Sequence, residues 1–186
     1  MLRGDQLKDT ASEVRVRPAY PFDSGRILAW RAEASVGEFQ PLDEHGAAAI
    51  RRDFSSGLDQ LAKGEGTRFG WIIEAPRPVG WVSLAILSWD HGLAEVGYAL
   101  THEARGRGIM SAALSQVLDV IFSRSKLYRI EARCDLRNQS SIRVLEANRF
   151  QREGTLREYF MLDGQRRDSG LFALLRTDWQ ERLTVD

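Results

Sequence analysis

The sequence is poor in the residues that build covalent or metal-bound scaffolds. A single cysteine, Cys134, stands among 186 residues. One thiol cannot close an internal disulfide, and it cannot make a multi-cysteine zinc cluster. The three histidines, His45, His91 and His102, show no ligand spacing, so no metal site is expected. No run approaches the ~18 consecutive apolar residues of a membrane span, and the start lacks a signal-peptide core. A reducing, cytoplasmic setting without membrane contact is the expectation. An excess of one charge sign is missing too, since 26 Lys+Arg face 26 Asp+Glu. That balance argues against a broad nucleic-acid binder, which needs a cationic face to neutralise phosphates.

What is present fits one globular domain, with 43% hydrophobic and 28% charged residues over a length that can bury a core. Residues 1–12 are polar and read as a mobile tail, 13–180 as a single domain, and 181–186 as a second tail. Residues 14–17 alternate as a short strand ended by Pro18. Residues 21–35 and 43–63 read as helices, the second ended at Gly64 and weakened at Gly57. The period then changes to two. Residues 68–74, 79–89 and 94–100 form an antiparallel meander, with turns at Pro76–Pro78 and Asp90–Gly92.

Residues 110–122 carry the clearest helical stripe, through Met110, Leu114, Val117, Leu118, Ile121 and Phe122. Residues 129–134 alternate as a strand, and 140–148 read as a short helix capped from Asn138 or Ser140. Residues 150–161 and 165–175 read as a hairpin turned by Leu162-Asp163-Gly164. The expected class is therefore α+β, a mixed sheet with helices packed on it.

Between strand and helix lies Leu100-Thr-His-Glu-Ala-Arg105-Gly106-Arg107-Gly108-Ile109-Met110-Ser111. A helix start leaves backbone N–H groups unpaired, and its dipole favours an anion. Gly106 and Gly108 allow close backbone approach, and Arg105 and Arg107 add positive charge. The pattern reads as a phosphate or pyrophosphate cradle. It is neither G-x-G-x-x-G nor a Walker loop, because position 111 is Ser and no Gly-Lys pair follows. Charge placement agrees: residues 101–152 hold 10 Arg+Lys against 5 Asp+Glu, while the rest holds 16 against 21.

Arg105-x-x-Gly108-x-Met110 resembles the acyl-CoA pyrophosphate loop of the GNAT N-acetyltransferases. The chain further resembles their RimJ/RimL branch, the bacterial protein N-terminal acetyltransferases. The motifs that carry this are Glu95-Val96-Gly97-Tyr98, Ile130-Glu131-Ala132-Arg133, Asn138-Gln139-Ser140-Ser141, Asn148-Arg149-Phe150, Glu153-Gly154, the late hairpin turn and Thr177-Asp178-Trp179. Position 110 is Met where the general family has Gly or Ala, and position 149 is Arg where many relatives have Gly.

The resemblance implies a mostly antiparallel sheet whose central strand pair splays, with acetyl-CoA as the acetyl donor. It implies that backbone groups near Ala99 and Leu100 pair with the pantetheine arm. The N–H groups of Arg105, Gly106, Arg107, Gly108, Ile109 and Met110 would hold the pyrophosphate, and Asn138 the arm or an ordered water. Ser141 matches the family serine that acts as acid to the leaving thiolate; a helix cap is its structural alternative. Glu95 is the first candidate base and Glu158 the second, the latter two residues before Phe160 and expected on the same strand face. Either is also readable as an ordinary surface carboxylate. Tyr128 and Tyr159 read as packing residues, and Cys134 as a buried small hydrophobe. Trp30, Phe39, Trp71, Trp81 and Trp89 fall in the region of the acceptor side.

The implied activity is acetylation of a primary amine, most simply a peptide or protein N-terminal α-amine. At about 7.7–8.0 such an amine is partly neutral at pH 7, unlike a lysine near 10.4, so a weak base acting through water suffices. The alternatives are a small amine, such as a polyamine, an aminoacyl-nucleotide or an antibiotic, and a non-catalytic acyl-CoA-binding module. A homodimer is compatible with the sequence, and nothing in it specifies one.

Overall fold

The computed structural model describes residues 13–39 and 57–181. The tail expected at 1–12, most of the 43–63 helix and residues 182–186 lie outside the described residues. Strand β1 (Arg15–Pro18) leads through a 3₁₀ turn (Pro21–Asp23) to α1 (Ser24–Arg31) and α2 (Ala34–Gly37). The helix expected over 21–35 is thus broken into pieces. Helix α3 (Leu58–Lys63) follows, starting at Gly57 and ending where Gly64 turns left-handed at φ 73°. Strands β2 (Arg68–Glu74), β3 (Pro78–Ser88) and β4 (Leu93–Leu100) form the meander. Then come α4 (Ile109–Arg124), β5 (Arg129–Asp135), α5 (Gln139–Ala147), β6 (Gln151–Leu162), β7 (Gln165–Leu175) and α6 (Arg176–Glu181). No local period predicts the last helix, whose final residue, Glu181, falls in the expected tail.

The seven strands form one sheet in the order β1-β2-β3-β4-β5-β7-β6. Neighbours are antiparallel except β4 and β5, which run parallel. This is the expected α+β architecture. One face carries the main core, where α4 inserts Ala113, Leu114, Val117, Leu118 and Ile121 against Trp71, Val82, Leu84, Val96 and Ile130. Each fully buried aliphatic side chain contributes roughly 1.5–3 kcal/mol, enough to offset the ordering of its own backbone. The other face carries a smaller cluster, in which Trp30 of α1 stacks on Trp81 of β3 at 6.1 Å. Of the other tryptophans, Trp71 packs in the main core, and Trp89 packs edge-on to Phe69.

Two side chains lock the helices beside the cleft. Asn148, at the end of α5, is buried and donates through Nδ2 to the Ser111 carbonyl and hydroxyl, both at 3.3 Å. It thereby ties α5 to the first turn of α4. Arg176 donates to the carbonyls of Phe122, Ser125 and Leu127 at 2.6–2.8 Å. These oxygens lie at and just beyond the C-terminal end of α4, which lacks intrahelical partners.

Candidate functional site

The site begins where two strands part. β4 and β5 pair only from Leu93 to Glu95, against Arg129 to Glu131. From Val96 onward β4 keeps its register with β3 and has none with β5, whose other edge pairs with β7 along its whole length. The gap opens into a cleft of about 370 Å³, within the range of small-ligand sites. Tyr98, Ala99 and Leu100 form one wall, and Asn138, Ser140, Ser141 and Val144 another. Val36 of α2 and Phe39, just after that helix, also line it.

The loop before α4 closes one end. Gly106 and Gly108 stand at φ 72° and 74°, and Gly108 is the N-cap of α4. The first turn of α4 therefore presents its N–H groups without a side-chain cap. Space around both glycines is open, so in this structure the positive φ, rather than a crowding neighbour, requires glycine. Crowding acts at Gly80 instead. A Cβ there would lie 2.4 Å from the Ala99 carbonyl oxygen, which lets β3 press against the cleft end of β4.

Polar groups converge on Ser141. Asn138 is the N-cap of α5, and its Oδ1 accepts from the Ser141 N–H at 3.0 Å and from the Ser140 hydroxyl at 2.7 Å. The Ser141 hydroxyl lies 3.0 Å from the Tyr98 phenol, which also reaches the Ser141 carbonyl at 3.3 Å. Burial raises the pKa of that phenol. Burial likewise pushes the pKa of the Cys134 thiol up to about 11. Cys134 is half-buried rather than sealed in the core, and a thiol this weakly acidic is a poor nucleophile.

A parting parallel strand pair beside a helix N-terminus is the arrangement that the sequence resemblance implied. The model of the acetyltransferase (GNAT) domain family matches residues 13–151. The chain belongs to the GNAT acetyltransferases. It is similar to the Bacillus subtilis protein YjcK, named a probable N-acetyltransferase, with 35% identity over 89% of this chain and 95% of the relative. Among solved structures it is similar to Mycobacterium smegmatis RimJ in complex with a CoA disulfide, with 27% identity and a TM-score of 0.73, covering 92% of this chain and 88% of the other. It also shares its fold with the spermidine N-acetyltransferase of Vibrio cholerae in complex with CoA and spermine, at 18% identity and a TM-score of 0.75, covering 91% and 99%. As a GNAT protein with N-acetyltransferase relatives the chain is an enzyme.

In this acetyltransferase the structure gathers most of the residues picked from sequence. Ala99, Leu100, Arg105, Gly106, Gly108, Ile109, Met110, Asn138 and Ser141 all line the cleft. Arg107 is exposed on the loop and is not among the lining residues. The Arg105 guanidinium folds back onto the Leu100 carbonyl, donating through Nε and one Nη at 3.2 Å each.

The two glutamates stand apart from the cleft lining. Glu95 faces the opposite side of the sheet from α4, where Arg133 binds it and reaches Glu131 at 3.2 Å. Arg129 continues that row, joining Glu131 at 3.0 Å and Glu153 at 2.5 Å. Glu158 is exposed at φ 50°, its N–H donating to Asp168 at 2.8 Å. It lies in a bulge, where the register jumps between Leu156 and Phe160. The period-two argument that put Glu158 and Phe160 on one face fails there, because a bulge breaks the alternation. Tyr128 and Tyr159, expected to pack, are 47% and 51% exposed, and the Arg133 guanidinium lies over the Tyr159 ring at 5.7 Å.

The sequence resemblance implies no role for Tyr98, which closes the Glu95-Val96-Gly97-Tyr98 motif. Its strand parity is that of Val96 and Leu100, so a hydroxyl interrupts an otherwise apolar row. That interruption was the available signal.

Proposed function

We propose that this enzyme transfers the acetyl group of acetyl-CoA to a peptide or protein N-terminal α-amine. The observation that carries the donor is the cleft itself: an unpaired strand edge, an uncapped helix start and the glycine loop meet in one place. The residues fit an acyl-CoA. The first turn of α4 and the N–H groups from Arg105 to Met110, Arg107 among them, would bind the pyrophosphate. The free edge of β4 near Ala99 would bind the arm, and Asn138 its amide or a water. Ser141 supplies the acid for the departing thiolate.

On the acceptor side, Glu95 takes the proton of the α-ammonium through water, with Glu158 as the second candidate. Replacing each by Gln tests this. The pH profile of kcat shifts for the residue that serves as base; if neither profile moves, the amine and water suffice.

A near-neutral acceptor face supports a peptide over a polyamine. Among the described residues of the Glu95 row, Glu95, Glu131 and Glu153 each already hold an arginine. A polycation needs carboxylates to spare. The likeness to a RimJ protein supports the same reading, and the likeness to a spermidine acetyltransferase keeps the small amine as the second reading. The deciding experiment offers acetyl-CoA with peptides of varied first residue and, in parallel, spermidine and other small amines, and reads thiol release. Turnover with spermidine alone would reverse the assignment.

A further inference from the structure

A serine hydroxyl is a rotor whose hydrogen points wherever its oxygen is not already receiving one. An acid at a leaving sulfur therefore needs a second group to set that rotor. Ser141 stands on α5, and Tyr98 stands across the cleft on the part of β4 that has left β5. The 3.0 Å contact between their hydroxyls, in which either oxygen can donate, bridges the two walls, and the Ser141 carbonyl at 3.3 Å is a longer, competing acceptor for the phenol hydrogen. The serine backbone N–H is taken by Asn138, so the residue itself is fixed in place.

We propose that Tyr98 is a positioning residue for the leaving-group step: its phenol donates to Ser141 Oγ and turns the serine hydrogen toward the departing sulfur. This rests on the role given to Ser141 above. When the C–S bond breaks, its electron pair stays on sulfur, and the serine proton moves to it. The proton shed by the acceptor nitrogen as the amide forms restores the serine hydroxyl through solvent. Nitrogen loses one proton, sulfur gains one, and Tyr98 keeps its own. Burial favours the neutral phenol, which suits a group that must remain a donor.

The test needs no acceptor. Calorimetry measures the affinity for coenzyme A and for its desulfo analogue between pH 6.5 and 9.5, in the wild type, Y98F, S141A and the double variant. A free thiol ionises near 8.5, so the window spans thiol and thiolate. Among the described residues, the charged groups lining the cleft are Arg105 and Arg143, and Cys134 titrates above the window. The desulfo analogue subtracts their contributions.

In the wild type, the thiol-dependent part of the affinity should grow about tenfold across the window, as a hydrogen bond to a charged group would give. All three variants should lose that gain to the same extent, while affinity at pH 6.5 stays within about twofold. A Y98F protein that keeps the gain overturns the role of Tyr98 and leaves Ser141 intact. A further loss on adding Y98F to S141A also overturns it, because a residue acting through Ser141 has nothing to act on there. An S141A protein that keeps the gain overturns the Ser141 reading and this inference with it. Y98F removes one oxygen and retains the ring, so the fold is preserved.

Discussion

Glu95 and Glu131 lie opposite each other as the last paired residues before β4 and β5 part. Two carboxylates side by side repel, and the arrangement holds because Arg133 bonds to both. Arg133→Met should therefore destabilise the protein by about 1–2 kcal/mol, a partly exposed network being screened by solvent. Adding Glu95→Gln to that variant should recover part of the loss. Urea unfolding of the single and double variants measures both effects; equal stability of Arg133→Met and wild type would show that the pair needs no cation.

Gly108 begins α4 in a left-handed conformation with open space around it. A β-branched residue there strains the loop that presents the N–H groups. Gly108→Val should leave the fold intact and weaken coenzyme A binding tenfold or more by calorimetry. Unchanged affinity would remove the loop from the donor site.

Arg149 sits at φ 65° in the turn between α5 and β6. Glycine adopts that conformation freely, whereas other L-residues lose roughly 1–2 kcal/mol there. The greater chain entropy of an unfolded glycine takes back part of the gain. Arg149→Gly should raise stability by about 0.5–1 kcal/mol, read as a higher Tm, with activity unchanged. A fall in Tm would mean that the arginine side chain contributes more than the backbone loses.

Asp23 is fully buried and holds Arg17 at 2.8–2.9 Å, with the Tyr20 N–H at 3.0 Å. The Arg17 bond lowers its pKa from 3.8, and desolvation opposes this in part. A carboxylate whose folded pKa is depressed stabilises above its unfolded pKa, and that stabilisation is lost as pH falls through the folded value. Asp23→Asn should cost about 2–3 kcal/mol at pH 7. The gap between variant and wild type should narrow steadily below about pH 4. Urea titrations at pH 7 and pH 3 decide it; a gap independent of pH would contradict the ionic account.

Strand and helix positions from β2 onward were readable because each is carried by a local period. The alternation of 129–134 and the stripe of α4 follow from burying one face, and the structure moves their ends by one or two residues. The loop before α4 was legible for the same reason, since a glycine pair followed at once by a strong helix is a local pattern. α6 escaped because its six residues are too short to show a period, and Trp179 reaches its place by packing on Phe122 rather than by repeat.

The sequence by itself determined the elements from β2 to β7, the α+β class and the position of the glycine loop before α4, all properties of near neighbours in the chain. Only the tertiary structure decided which groups meet. Tyr98 and Ser141 are 43 residues apart and become partners because β4 leaves β5 after three paired residues. Glu95 gains Arg133 across the same strand pair, and Glu158 leaves the strand alternation through a bulge whose register β7 sets. Register, splay and bulge depend on how distant strands share hydrogen bonds and cover a common core, which no local period encodes.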